Sequence, residues 1–199
     1  MKTIVIATRN KDKLVEINRI LSGLPFEIKS ALDFPNIPEV VEDGDTLEAN
    51  AIKKAQVVHE HTGLISLADD TGLEVELLNG APGVYSSRFA GSNATYEDNV
   101  RKLLDVMKSA SIDERGARFR CVIAIAGYKS EPVIVDGICP GYISSSPRGN
   151  QGFGYDPVFY LPQYDKTYAE LGLDEKNRIS HRGIALKNAL VVLREMCDK

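Results

Sequence analysis

The order of apolar and polar residues along this chain predicts strands and helices in alternation. An apolar run at residues 3–7 is typical of a buried strand, and Leu14, Ile17 and Leu21 recur at helical spacing within residues 11–21. Further strands are predicted over residues 26–30, 64–68, 73–78, 118–126 and 133–138. Because strands and helices alternate early and a strand pair follows later, we expect an α/β fold with a mixed sheet.

Capping signals and turn residues separate these elements. Residues 45–48 have the form of a capping box that opens a helix running to about residue 61, residues 95–98 open another capped helix, and a final helix is predicted from about residue 180. Residues 33–45, with two prolines and five acidic residues, are predicted to form a loop. Residues 144–157 are rich in Gly and Ser, and long loops of this kind are often functional.

One apolar run ends in two adjacent carboxylates. Residues 64–68 are followed by Asp69, Asp70, Thr71 and Gly72, which we interpret as an acidic turn at the end of a buried strand. Negative charge there is costly to desolvate and is typical of sites that bind a cation, a proton or a hydroxyl-rich ligand. The alternative is an ordinary polar turn. Because side chains alternate along a strand, we expect the two carboxylates to diverge.

Composition narrows the classes of function. At 199 residues, 43% of them hydrophobic, the chain is expected to form one globular domain, which could have two lobes. The net charge of -4 argues against wrapping duplex nucleic acid, although a local basic pocket for a small phosphorylated ligand stays open. No apolar run suits a signal peptide or membrane span, and Cys121, Cys139 and Cys197 lack metal-ligand spacing. We therefore expect a cytoplasmic protein with reduced thiols.

The end of the first strand has the residue types of a phosphate-binding loop. Its polar and charged residues lead into the first helix, and they are Thr8, Arg9, Asn10, Lys11, Asp12 and Lys13. A helix N-terminus attracts anions, and Lys13 points back towards that end. The P-loop pattern is absent. The alternative is an Asn10 that only caps the helix, with solvated lysines around it.

The acidic residues of the 33–45 loop are candidates for a metal site. Glu39, Glu42 and Asp43 stand there, and any of them could instead be a solvated surface charge, a reading that we favour for Asp43. Near Asp69 and Asp70 they would complete an oxygen-rich site for Mg²⁺, which takes one or two carboxylates plus phosphates and water.

Two later segments have the chemistry of a nucleobase site. Phe153 lies between two glycines, which lets a planar ligand approach the backbone and stack on the ring, unless the segment is a structural turn with a buried Phe. His181 and Arg182 open the last helix, where they could donate to a carbonyl or phosphate oxygen or form an exposed cap.

Five ordered motifs resemble those of the inosine/xanthosine triphosphate pyrophosphatases. The motifs are Thr8-x-Asn10-x-x-Lys13, Ala68-Asp69-Asp70-Thr71-Gly72-Leu73, Gly80-Ala81-Pro82-Gly83-Val84-Tyr85-Ser86, Gly152-Phe153-Gly154-Tyr155-Asp156-Pro157 and Ile179-Ser180-His181-Arg182-Gly183. The resemblance covers nearly the whole chain. It implies an elongated mixed sheet flanked by helices, two lobes with a central substrate cleft, and a homodimer. It also implies Mg²⁺-dependent hydrolysis of ITP, dITP and XTP to the monophosphate and pyrophosphate.

The resemblance implies roles for individual residues. Residues 8–13 would hold the phosphates, and Asp69 would be the proton acceptor and a metal ligand, while Asp70 would contact the substrate. The remaining substrate contacts implied are Lys54, Phe153, Gly154, Tyr155, Asp156, Lys176, His181 and Arg182. Donors from His181 or Arg182 would favour a 6-keto purine over adenine.

Two positions depart from the family pattern. Where the family often has a Glu-Glu pair, this chain has Val41-Glu42, so Glu42 is the candidate for the second metal ligand. Where the family has Glu-Asn-Ala, this chain has Ala49-Asn50-Ala51, and the family lysine falls at Lys54. Two other functions remain open: a pyrophosphatase for pyrimidine or modified nucleotides, and a regulatory module that binds nucleotides without hydrolysis.

Overall fold

The computed structural model describes residues 2–197. Its helices and strands, in chain order, are β1 (Lys2–Ile6), α1 (Lys11–Leu21), β2 (Phe26–Ser30), α2 (Leu47–Thr62), β3 (Ile65–Val75), β4 (Pro82–Gly83), α3 (Tyr96–Val106), β5 (Gly116–Ala126), β6 (Val133–Ile143), β7 (Phe159–Leu161), β8 (Lys166–Thr167), α4 (Leu173–Ile179) and α5 (His181–Cys197). Short 3-10 turns join several of them. The predicted bounds of α1 and β2 are confirmed.

The chain divides into two compact units. The first contains Met1–Asp70, Cys121–Gly137 and His181–Lys199, and the second contains Thr71–Arg120 and Ile138–Ser180. The hydrogen-bonded strand order is β2-β1-β3-β5-β6-β7-β8, with β4 paired to β3. Strand β1 runs parallel to β2 and β3, whereas β7 runs antiparallel to β6 and β8. The prediction of an α/β fold with a mixed sheet is therefore confirmed.

In the first unit, parallel pairing brings the ends of β1 and β3 together. Ile6 lies opposite Leu67, and the amide of Ala7 donates to the carbonyl of Leu67 at 2.8 Å. Helices α1 and α5 pack their apolar residues, among them Ile17 and Leu186, into the same core as these strands. Residues that follow β1 consequently lie beside the acidic residues of β3.

The acidic residues lie inside a strand, so the prediction of a turn at residues 69–72 is wrong. Strand β3 is continuous from Ile65 to Val75. Its first residues pair with β1, and Leu73 pairs with Gly83 of β4, so the chain is held extended on both sides of the carboxylates. A Cβ at Gly72 would lie 2.8 Å from the Gly83 carbonyl oxygen, so the glycine permits the close approach of β4.

Helix α2 begins one residue later than its sequence signal indicates. Thr46 is the N-cap, and its side chain accepts a hydrogen bond from the Ala49 amide at 3.1 Å. Because Ala49 occupies the third helical position, the reciprocal half of the predicted capping box cannot form. The box predicted at α3 does form, between Thr95 and Asp98.

The second unit has its own core and two features that the pattern did not predict. Phe119, Phe159 and Tyr168 pack at its centre, with ring centroids 4.7–5.8 Å apart. Strand β6 continues five residues beyond the predicted end at residue 138, and the short helix α4 precedes α5. Within residues 2–197, no helix is both long and apolar enough to cross a membrane.

Candidate active site

The turn between β1 and α1 is organised by Asn10. Its side-chain Oδ1 accepts hydrogen bonds from the backbone amides of Asp12 at 2.9 Å and Lys13 at 3.2 Å. The backbone amide of Asn10 donates to Thr8 Oγ1 at 3.2 Å. Asn10 therefore is an N-cap, as one reading of the sequence proposed. This capping is compatible with phosphate binding, because Lys13 is turned inward and keeps part of its side chain accessible.

The other residues of this turn have different surroundings. Arg9 is exposed and donates from Nη2 to the carbonyl of Ile37 at 2.6 Å. This contact ties the turn to the loop of residues 33–45, called the acidic loop below. Lys11 and Asp12 are exposed on the first turn of α1. The structure thus joins Arg9 to the loop that carries Glu42 and leaves Lys11 at the surface.

Asp69 is held by two cations on one face of β3. Lys13 Nζ lies 3.0 Å from Asp69 Oδ2, and Arg182 donates to the same oxygen from Nε at 3.2 Å and Nη2 at 3.1 Å. Arg182 also donates from Nη1 to Glu16. All four side chains are at least four-fifths buried. The network joins α1, β3 and α5 through alternating charges.

Electrostatics make Asp69 a weak base. Burial by itself would raise the pKa of Asp69, but Lys13 and Arg182, with a further contribution from Lys54, hold that pKa far below its usual range. Burial would likewise lower the pKa of Arg182, and the carboxylates of Asp69 and Glu16 raise it instead. Asp69 therefore stays ionised and has little tendency to accept a proton.

Asp70 faces a different set of groups, all presented by α2 or the acidic loop. Lys54 Nζ donates to Asp70 Oδ1 at 2.9 Å, to Glu42 Oε1 at 2.7 Å and to the Asp69 carbonyl at 2.7 Å. Asn50 Nδ2 donates to Asp70 Oδ2 at 3.3 Å. The predicted divergence of the two carboxylates is confirmed, since each contacts different elements.

The pKa of Asp70 moves in the opposite direction to that of Asp69. Burial raises the pKa of Asp70, and the neighbouring Glu42 carboxylate raises it further, while Lys54 and Lys13 only partly compensate. Burial would lower the pKa of Lys54, but Asp70, Glu42 and Asp69 raise it, so this ammonium stays charged. Of the two aspartates, Asp70 is consequently the stronger proton acceptor.

The donor set of Glu42 and Asp70 fits a hard divalent cation. Among the described residues, no group of three or more His, Cys, Asp or Glu side chains is placed to hold a metal by itself. Glu42 and Asp70 nevertheless contact the same Lys54 ammonium, so the two carboxylates converge. Two carboxylates suffice for Mg²⁺ when phosphate oxygens and water complete its coordination. Asp43 instead lies at an exposed position, with its Oδ1 2.6 Å from Lys53 Nζ. This agrees with the prediction that Asp43 is a solvated surface charge.

Two residues of this cluster, Glu16 and Asn50, are not among the site residues predicted from the sequence. Glu16 lies three residues after Lys13 and next to Ile17, on the helix face that is buried. A carboxylate on an apolar stripe is the signal that could have identified it. Asn50 was noted only as part of a motif, and it is 1% exposed.

The second unit contains the aromatic candidate site. The Asp156 carboxylate Oδ2 accepts from the Phe153 amide at 2.9 Å and from Lys176 Nζ. Lys176 Nζ also lies 5.1 Å from the Phe153 ring centroid, within cation–π range. A Cβ at Gly152 would lie only 2.0 Å from Asp156 Oδ2, so the position of the Asp156 carboxylate requires glycine at residue 152.

Four further features complete the surroundings of Phe153. Tyr155 is buried and donates from its hydroxyl to the carbonyl of Ser86 at 2.9 Å, and Gly154 has a φ of 62°. A cavity of about 580 Å³ lies beside Phe153 and is also lined by Tyr96. Lys176 and Asp156 are each 3% exposed. The predicted residues 153–156 and Lys176 are therefore brought together.

His181 and Arg182 begin α5 in the first unit, and both are buried. The contacts of Arg182 to Asp69 and Glu16 place its guanidinium with the acidic residues of β3 and α1. The reading of these residues as an exposed helix cap is wrong.

Comparisons with known proteins identify relatives of this chain. The model of the Ham1 family matches residues 4–191. A protein named dITP/XTP pyrophosphatase from Geobacter sulfurreducens is 52% identical over 186 residues, which cover 94% of each chain. The solved structure of a HAM1 protein from Coxiella burnetii has a TM-score of 0.89 and 44% identity, and the match covers 98% of this chain and all of that one. A nucleoside-triphosphatase, or dITP/XTP pyrophosphatase, from Mycobacterium abscessus has a TM-score of 0.76 and 40% identity, covering 94% of this chain and 98% of that one.

Proposed function

The chain belongs to the Ham1 family, and we propose that it hydrolyses dITP, ITP and XTP to the monophosphate and pyrophosphate. Two relatives among those above carry the name dITP/XTP pyrophosphatase. The observation in this chain that supports the proposal is the pair of buried carboxylates on β3, each with its own cation partners. Such a pair suits hydrolysis of a polyphosphate better than simple binding of one, because binding alone has no use for a buried base.

Mg²⁺ is the cofactor we propose, held by Glu42 and Asp70. When bound, it would neutralise phosphate charge and lower the pKa of a water molecule. This assignment keeps Glu42 from the sequence-based set and replaces Asp69 by Asp70. The replacement follows from the contacts, since Asp70 and Glu42 share the Lys54 ammonium and so converge, whereas Asp69 Oδ2 is turned to Lys13 and Arg182.

Asp70 is the proposed proton acceptor. A water oxygen attacks the α-phosphorus, its proton passes to an Asp70 carboxylate oxygen, and the bond between the α- and β-phosphates breaks so that pyrophosphate leaves. Lys54, which donates to Asp70 Oδ1, orients the carboxylate. The family resemblance implied this role for Asp69, whose low pKa makes it the poorer base.

Asp69 is proposed to position cations rather than to react. It holds Lys13 and Arg182 in place, and Lys13 together with the N-terminus of α1 would stabilise negative charge on the leaving pyrophosphate. Thr8 and residues 9–12 supply the remaining polar groups of this phosphate-binding turn.

The nucleobase is proposed to be read by the second unit. Phe153 offers an aromatic face for stacking, and Lys176 offers a donor for a 6-keto oxygen, held in place by Asp156. Adenine has an amino donor in place of that oxygen, so it would face the Lys176 ammonium without accepting from it, which disfavours adenine. The homodimer implied by the sequence resemblance remains a prediction for sedimentation analysis.

A substrate panel tests the proposed function. Purified protein with Mg²⁺ is incubated with dITP, ITP, XTP, GTP, ATP, dTTP and UTP, and pyrophosphate and orthophosphate are measured separately. We expect pyrophosphate from the first three. Orthophosphate as the sole product, or a preference for ATP, would contradict the proposal. A preference for dTTP or UTP would identify a pyrimidine enzyme, and tight binding without turnover would identify a regulatory module.

A further inference from the structure

Asn50 connects the acidic loop to the Asp70 carboxylate. Its Oδ1 accepts from the amide of Gly44 at 2.8 Å, while its Nδ2 donates to the Gly44 carbonyl at 3.4 Å and to Asp70 Oδ2 at 3.3 Å. A backbone N–H can only donate and an ionised carboxylate can only accept, so the partners determine the orientation of the amide. The side-chain oxygen therefore binds the loop backbone, and the side-chain nitrogen also binds the Asp70 carboxylate.

Gly44 permits this contact. A Cβ at position 44 would lie 2.7 Å from Asn50 Oδ1 and 2.9 Å from the Cβ of Ala49. Any larger residue would push the loop away from α2. The pair of Asn50 and Gly44 is thus a clamp between the helix and the loop.

The clamp acts on both carboxylates that are proposed to hold Mg²⁺. Glu42 lies two residues before Gly44, and its Oε1 accepts from Lys54, which lies one helical turn after Asn50. Asp70 receives Lys54 on one oxygen and Asn50 on the other. The backbone near Glu42 and the plane of Asp70 are consequently held by the same face of α2.

We propose that Asn50 is a positioning residue that sets the affinity of the Glu42–Asp70 pair for its divalent cation. The proposal rests on the proposed function for the identity of the two metal-binding carboxylates. A loop that is not held must be ordered when the metal binds, and that ordering weakens binding. Partners that hold metal-binding carboxylates typically change metal affinity about 10- to 100-fold when they are removed.

Asn99 offers a matched control in the second unit. It also lies at the fourth position of its helix, α3, and it is 2% exposed. Its Oδ1 accepts from the Ala90 amide at 2.8 Å and its Nδ2 donates to the Ser87 carbonyl at 3.1 Å. Asn99 therefore clamps a loop backbone as Asn50 does, and neither of these contacts involves a carboxylate.

The decisive measurement is metal binding without nucleotide. Mn²⁺, which prefers the same oxygen ligands as Mg²⁺, is titrated into wild-type protein, Asn50→Ala and Asn99→Ala, and the free ion is followed by electron paramagnetic resonance. We expect roughly tenfold weaker binding for Asn50→Ala and unchanged binding for Asn99→Ala. The Mg²⁺ concentration that gives half-maximal pyrophosphate release should rise by the same factor, with an unchanged KM for ITP at saturating metal.

A purely structural role would give a different result. If Asn50→Ala and Asn99→Ala lower the melting temperature alike and Mn²⁺ affinity is unchanged in both, the inference is wrong. Gly44→Ala opens the clamp from the loop side and must weaken Mn²⁺ binding too, and it decides the question if Asn50→Ala does not fold. Wild-type protein that binds no Mn²⁺ would also overturn the inference. Wild-type protein that binds Mn²⁺ but releases no pyrophosphate would overturn only the proposed function.

Discussion

The same substitution at two neighbouring residues should have two different effects. Asp70→Asn removes the proposed proton acceptor, whereas Asp69→Asn removes the counter-charge of Lys13 and Arg182. Both variants replace a carboxylate by an amide of nearly the same shape. Any difference between them therefore reports the surroundings of each residue rather than its size.

The expected magnitudes follow from those surroundings. A positioned general base contributes about 10²- to 10⁴-fold to rate, so kcat of Asp70→Asn should fall by that factor. Its stability should fall less than that of Asp69→Asn, because burial raises the pKa of Asp70 and Lys54 keeps Glu42 as a counter-charge. Asp69→Asn breaks a buried ion pair, which costs about 3–5 kcal/mol, and we expect the lower end because Arg182 keeps Glu16.

Two assays separate these effects. Urea denaturation at neutral pH gives the free energy of unfolding, and pyrophosphate release at saturating Mg²⁺ and ITP gives kcat. Fluorescence titration with a nucleotide should show that Asp70→Asn still binds substrate. The reasoning would be refuted if Asp69→Asn were as stable as wild type but inactive while Asp70→Asn kept its activity, which is the division of roles first predicted from the sequence.

Three further predictions concern Glu16, Phe153 and pH. Glu16→Gln should lower the free energy of unfolding by about 1–3 kcal/mol, seen in urea denaturation, because Arg182 loses a charged acceptor; an unchanged midpoint would show that the contact contributes nothing. Phe153→Leu should raise KM for ITP about tenfold through lost stacking, with kcat nearly unchanged in steady-state assays; an unchanged KM would remove Phe153 from base recognition. The stability advantage of wild type over Asp69→Asn should be complete at pH 7 and shrink as pH falls below about 4, since the pKa of Asp69 is lowered in the folded protein; urea midpoints that differ equally at all pH values would contradict this.

Local signals predicted the first part of the fold well. The bounds of α1 and β2 follow from an apolar stripe, an Asn10 cap and short turns, all of which lie within a few residues of the elements that they define. The capping box at Thr95 and Asp98 is equally local. Elements whose determinants lie nearby in the sequence can be derived from pattern alone.

The acidic segment shows where such derivation fails. Asp69 to Gly72 has the composition of a turn, and the extended conformation depends on β1 on one side and on Gly83 of β4 on the other. Ile4 of β1 lies 61 residues before its partner Ile65, and Gly83 lies ten residues after Leu73, so neither partner belongs to the local pattern of residues 69–72. Strand alternation did predict that Asp69 and Asp70 diverge, but which carboxylate meets two cations depends on which face packs against α1 and α5.

The separation of roles between the two aspartates has a physical rationale. A site for polyphosphate needs cations, yet buried cations such as Arg182 are tolerated only beside a counter-charge, which Asp69 and Glu16 provide. A carboxylate held in this way is too acidic to accept a proton. The base that we propose is therefore a second carboxylate with fewer neighbouring cations, Asp70, which alternation along β3 turns to the opposite face of the strand.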